Sequence, residues 1–201
     1  RYCEYLYSER YYKKKRAKKT KRVMIPDRVS IDMRSLGALN RSRYGHWEKD
    51  AVCSGKNGSG ALAVMQERKS RYIDAKKVSG FSPKKHNAAI LEMKKDKKML
   101  SLTYDNGIEN KWHQKLKIPS YFCDPYSSWQ KGGVENANKM IRRYIPKKTN
   151  LAKISQEYLD EIIVKINNKP RKILGYRSAL EVARAGGVLL EILECPNSGV
   201  N

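Results

Sequence analysis

Three strand-length runs follow one another with only turns between them, and that succession restricts the fold more than any other feature of the sequence. They are His46 to Cys53, Ala61 to Glu67 and Arg71 to Val78. The first two are separated by the turn-rich Ser54-Gly55-Lys56-Asn57-Gly58-Ser59-Gly60. Connections this short join antiparallel neighbours, because a parallel crossover needs a dozen or more residues. The chain is therefore expected to lay down a three-stranded antiparallel unit first.

The pattern then changes to strands alternating with helices. Ser82-Pro83 is a helix-start signal, and the helix can run to about Lys95. Leu100 to Tyr104 reads as a fourth strand, ended by the turn tripeptide Asp105-Asn106-Gly107. Ile118 to Cys123 reads as a fifth, and Asp124-Pro125 breaks it. A helix is expected from about Gln130 to Tyr144, with Val134, Ala137, Ile141 and Tyr144 on one face and Glu135, Asn138 and Arg142 on a more polar one. A second, Ser155 to about Asn168, puts Leu159, Ile162, Ile163 and Ile166 together, and a third begins at Ser178 with a capping-box Glu181. Three strands, a helix, then strand–helix–strand–helix with trailing helices is the outline of an RNase H-like α/β domain, a five-stranded mixed sheet flanked by helices. No internal repeat is found.

Charge narrows the partner. The chain has 43 Lys and Arg against 20 Asp and Glu, a formal net charge of +23. Such a field attracts phosphate backbones through counterion release, so a nucleic acid is the expected partner. The hydrophobic fraction of 40% is ordinary for a globular protein, which argues against disorder throughout. Residues 1–44 hold 14 Lys and Arg and 4 acids, densest at Lys13, Lys14, Lys15 and Arg16. They read as a basic arm or linker bearing Tyr5, Tyr7, Tyr11 and Tyr12, which stack on bases or are simply solvated. The expected division is this arm, an RNase H-like core over 45–185 and a tail over 186–201. The chain opens at Arg1 without a methionine, inside a basic tract, so an upstream portion is expected. Scattered Cys3, Cys53, Cys123 and Cys195 point to reduced thiols in an intracellular, cytoplasmic protein, without structural zinc. No apolar run approaches a membrane span, and no membrane partner is expected.

Carboxylates stand out against so much positive charge. Phosphodiester chemistry by hard cations needs several carboxylate oxygens converging on one site. Asp50 lies in the first strand, Asp105 ends the fourth, and Glu135 sits on the helix after the fifth. If strands one and four are neighbours, the aspartates meet and the helix brings the glutamate over them. Glu48 competes with Asp50, since residues two apart on a strand share a face, and Glu109 and Asp124 compete near the other two positions. Spacing leaves this choice open. Lys49 should point away from Asp50, to the opposite face.

Several segments resemble one family. They are Gly45-His46-Trp47-Glu48-Lys49-Asp50, Glu67-Arg68-Lys69-Ser70-Arg71-Tyr72, Thr103-Tyr104-Asp105-Asn106-Gly107-Ile108-Glu109, and Tyr121 to Gly132 with Glu135-Asn136. Asn167-Asn168-Lys169-Pro170-Arg171-Lys172 with Leu174-Gly175-Tyr176-Arg177 completes the set. From about Gly45 to Val182 the chain resembles the insertion-sequence-30 family of bacterial DDE transposases. The resemblance implies a catalytic and metal-binding triad of Asp50, Asp105 and Glu135. It also implies two Mg²⁺ (or Mn²⁺) ions, cleavage and strand transfer at terminal inverted repeats of double-stranded DNA, and a homo-oligomer on that DNA. Lys139 and Arg142 are candidates for phosphates beside the scissile bond, and Lys131 for the approach to the site. Trp129 reads first as a core aromatic and otherwise as lining that approach, while His46 and His113 read as structural. The alternative function is a transposase remnant that binds DNA without cutting it.

Overall fold

A computed structural model of the chain describes residues 25–55, 58–125 and 127–190. The Lys13, Lys14, Lys15 and Arg16 cluster, the arm tyrosines, Cys3 and Cys195 lie outside them. Five strands form one sheet: β1 His46–Cys53, β2 Ala61–Glu67, β3 Ile73–Val78, β4 Ser101–Tyr104 and β5 Ser120–Phe122. Their spatial order is β3-β2-β1-β4-β5, antiparallel across β3-β2-β1 and parallel across β1-β4-β5. The short turns at 54–60 and 68–72 dictate the antiparallel half. A crossover helix makes the parallel neighbour possible.

The helices are a short α1 Leu36–Leu39, α2 Pro83–Lys94, α3 Gly132–Tyr144, α4 Gln156–Asn167 and α5 Ala179–Ala185. They divide two cores between the faces of the sheet. One gathers Trp47, Met65, Leu102, Tyr104 and Phe122 under Ile90 and Met93 of α2 and Ala183 of α5. The other gathers Val52, Leu62, Val64 and Ile73 under Val134, Ala137 and Ile141 of α3 and Leu159, Ile162 and Ile166 of α4. The stripes expected on α3 and α4 are those buried, and Ser178 and Glu181 close a capping box on α5. Among the described residues no helix is long and apolar enough to cross a membrane.

Three features depart from the sequence outline. In place of an α-helix between β4 and β5 there are two 3-10 turns, Ile108–Asn110 and His113–Leu116. Residues 25–44 pack on the core: Ile25, Ile31 and Ala38 are buried, and Phe122 of β5 donates its N–H to Val29 O at 2.9 Å. At the other end, Val188 is fully buried and Leu189 bridges to Lys97.

Candidate active site

The parallel register of β1 on β4 pairs Glu48 with Thr103. Carried on two residues, the same register sets Asp50 beside Asp105 at the carboxyl end of β4, where the chain leaves the sheet. The first turns of α3 lie alongside. A cavity of about 390 Å³ opens there, lined by Asp50, Asp105, Asp124, Lys131 and Glu135, with Cys123 in its wall. Burial pushes the Cys123 thiol up to about 11, so the wall is neutral at this point.

Each aspartate is held by an amide. Asn138, one turn along α3 from Glu135, donates Nδ2 to Asp50 Oδ2 at 2.6 Å. Asn110 donates to Asp105 Oδ1 at 2.8 Å. Between the two carboxylates stands the ammonium of Lys131, 3.2 Å from Asp50 Oδ1 and 3.5 Å from Asp105 Oδ2. Burial alone would lower its pKa, but Asp50 and Asp105 outweigh burial and raise it. Glu135 is half exposed and pairs with Lys139 one turn on, at 3.2 Å. As the side chains stand, no group of three or more His, Cys, Asp or Glu among the described residues is placed to hold a metal ion. Lys131 occupies the space between the aspartates, and Glu135 turns outward.

The competing acids have other partners. Glu48 shares the face of Asp50 but is buried; its Oε1 meets the Arg68 guanidinium and its Oε2 accepts the Val134 N–H at 3.0 Å. It caps the amino end of α3 from the neighbouring strand, where the helix dipole favours a negative charge. Glu67, at the end of β2, ties the β2–β3 turn, accepting from Ser70 Oγ at 2.7 Å and from Gly45 N–H at 3.0 Å. Glu109 lies 3.6 Å from the fully buried Lys49 ammonium on the far face of β1. Asp124 remains on the cavity wall, bonded reciprocally to Gln130.

Of the expected DNA contacts, Lys131 sits inside the cavity rather than at its mouth. Lys139 is largely exposed. Arg142 donates to the carbonyls of Cys53 and Pro146, so part of its guanidinium is committed to the backbone. Trp129 is 74% exposed, which corrects its reading as a core aromatic. The 3-10 turn Ser128–Lys131 ahead of α3 holds it outside both cores. His46 and His113 bond to Ser101 Oγ and Pro26 O within the scaffold. Sequence reasoning missed Asn110 and the holding role of Asn138. The spacing of Asn138 three residues after Glu135 was a usable signal, whereas Asn110 lies in a turn without periodicity.

The sheet order and flanking helices define an RNase H-like domain of the integrase-core type. Its fold matches the catalytic core of bovine immunodeficiency virus integrase with a TM-score of 0.54 at 20% identity, over 70% of this chain and 94% of that one. It matches a chain of the simian T-cell lymphotropic virus intasome with a TM-score of 0.57 at 18% identity, over 69% and 54%.

No family model matches the chain. It is 36% identical over 181 residues to the transposase InsI of insertion sequence element IS30A from Escherichia coli K12, covering 84% of this chain and 45% of that protein. To the transposase of IS1086 from Cupriavidus metallidurans it is 37% identical, covering 81% and 50%. To that of IS4351 from Bacteroides fragilis it is 38% identical, covering 83% and 53%. The chain belongs to the IS30 family of transposases, and it spans about half the length of the curated relatives it matches.

Proposed function

We propose that this chain is the catalytic core of a transposase that cuts and rejoins double-stranded DNA at the inverted-repeat ends of an insertion sequence. The observation that carries the reading is the meeting of Asp50, Asp105 and Glu135 on one cavity in an otherwise strongly basic protein. Two of these carboxylates already share a cation, and an all-oxygen set of this kind suits Mg²⁺ or Mn²⁺ once Lys131 withdraws and Glu135 turns inward. Bound there, two divalent ions would supply Lewis-acid charge and a water made acidic enough to attack near neutral pH.

The protein's own residues then have defined tasks. Asn138 and Asn110 keep Asp50 and Asp105 aimed into the cavity. Glu48 fixes the start of α3, and with it the position of Glu135. The released Lys131 ammonium and Lys139 are near enough to receive the phosphate oxygens beside the scissile bond. In the first step a water oxygen attacks the phosphorus in line, the P–O3′ bond breaks, and a free 3′-hydroxyl remains. In the second, that hydroxyl attacks a target phosphodiester and displaces its 3′-oxygen, so bonds are exchanged without a protein–DNA covalent intermediate. Pairing two DNA ends calls for at least two protomers.

The test uses labelled inverted-repeat duplex and the full-length protein, wild type beside Glu135→Ala, with Mg²⁺, Mn²⁺ or EDTA. Metal-dependent nicked and joined products are expected for the wild type alone, with equal duplex binding by both. Binding without products in a folded wild-type protein would favour the DNA-binding remnant instead.

A further inference from the structure

A second cavity, about 540 Å³, lies on the other flank of α3, lined by Gly132, Gly133 and Asn136 where the first is lined by Lys131, Val134 and Glu135. Four cations edge it, Arg41, Arg71, Lys169 and Arg171, and no carboxylate does. Among the described residues none of the four makes an ion pair.

Their fixed bonds are to neutral groups. Arg171 donates to Arg71 O and Ile166 O, each at 3.3 Å, and Lys169 donates to Tyr144 Oη at 2.7 Å. These bonds hold the charges in place without neutralising them. Burial first, and then a neighbouring guanidinium, lower the pKa of both Arg71 and Arg171; Glu48 and Glu67 oppose the shift at Arg71, and no carboxylate opposes it at Arg171. On the cavity floor Gln66 is 2% exposed and its Oε1 has no partner. Its Nε2 donates to Arg71 O at 3.4 Å.

We propose that this cavity holds a backbone phosphate of double-stranded DNA, so that the DNA spans the amino end of α3 with one contact on each side of the helix. A phosphodiester supplies the ion-pair partner that none of the four cations has and accepts from guanidinium and ammonium donors, which carry no acceptor of their own. The proposal rests on the DNA-binding part of the reading above and not on cleavage. It also gives a task to the Lys169-Pro170-Arg171 motif, which the carboxylate site does not use.

The experiment is duplex binding in EDTA, followed by fluorescence anisotropy across a salt series with inverted-repeat and random duplexes. Arg41→Gln/Lys169→Gln is compared with the charge-matched Lys84→Gln/Lys95→Gln, on α2 and at its carboxyl-terminal cap, and folding is checked by thermal melting. Lys169 is chosen because it is exposed, and Arg41 because its side chain makes no hydrogen bond among the described residues, whereas Arg171 is tied to two backbone carbonyls. The cavity variant should weaken both duplexes alike and reduce the log–log salt slope by about 1, the share of the one phosphate the cavity holds. The control should keep the wild-type slope. An unchanged slope in the cavity variant, or an equal loss in the control, overturns the proposal. If inorganic phosphate raises the melting temperature of the wild type but not of the cavity variant, while duplex binding is unaltered, the cavity takes a free phosphoanion and the DNA assignment falls. Because no metal is present, the result is independent of whether the protein cuts.

Discussion

Lys49 keeps an ammonium where no water reaches it, 2.7 Å from Asn110 Oδ1 and 3.6 Å from Glu109 Oε1. Burial pushes its pKa down, and Glu109 followed by Asp105 oppose that shift. Through Asn110 the same group braces the loop that aims Asp105. Removing one member of a buried pair strands the other's charge, at a cost of about 3–5 kcal/mol. Lys49→Met should therefore lower urea stability by that order, and adding Glu109→Gln should recover part of it, with a coupling of about 1–3 kcal/mol in the cycle. Additive losses would mean that the two side chains do not support each other. The sequence could assign Lys49 to the face opposite Asp50, because strand periodicity fixes that. It could not separate Asp50 from Glu48, which share a face. What separates them is the Arg68 guanidinium and the Val134 N–H, brought to Glu48 from positions distant in the chain.

Elements with a strong period were legible and those without one were not. The stripes of α3 and α4 and the Ser178 capping box needed only local sequence, and so did the antiparallel start of the sheet. The 108–117 connection has no apolar period to reveal its two 3-10 turns. The packing of residues 25–44 was hidden by basic composition, since Ile25, Ile31 and Ala38 are isolated among polar neighbours. Helix α2 carries a consequence of burial that composition also hides. His86 is fully buried, its Nε2 lies 3.2 Å from Gly80 O, and its Nδ1 has no partner. The bond to a carbonyl assigns the proton to Nε2. Burial, then the charge of Lys49, push its pKa down to about 4 against the opposing bond to Gly80. Above pH 6.5 the ring is neutral folded or unfolded, and it contributes no pH dependence. As pH falls below 6.5 the unfolded chain takes a proton that the fold refuses, so stability declines until about pH 4. Between pH 7 and pH 5 the loss from this group is roughly 2 kcal/mol. Urea midpoints at the two pH values should fall closer together in His86→Gln than in the wild type; equal separations would place the acid sensitivity elsewhere.

At the scale of the molecule, the carboxylate cavity is a small acidic feature in a field of net charge +23. That contrast divides the work between capture and chemistry. On the proposed reading the basic surface would collect DNA without regard to sequence, while the paired aspartates, with the one Lys131 ammonium between them, would be kept for the few phosphates that reach them. Capture of this kind must depend steeply on salt, because each phosphate contact releases condensed counterions. With roughly 6–10 contacts, affinity for a random duplex should fall by about 10³–10⁵ between 50 and 200 mM salt. The fall should be the same for wild type and Asp105→Ala measured in EDTA, since the carboxylates take no part in it. A shallow dependence would mean that few of the 43 basic residues face DNA at once, and the charge would then serve some other polyanion or the solubility of the chain. A steeper dependence in Asp105→Ala would show that the acidic cavity repels DNA in the wild type, and that Lys131 neutralises it less completely than its position between the two aspartates suggests.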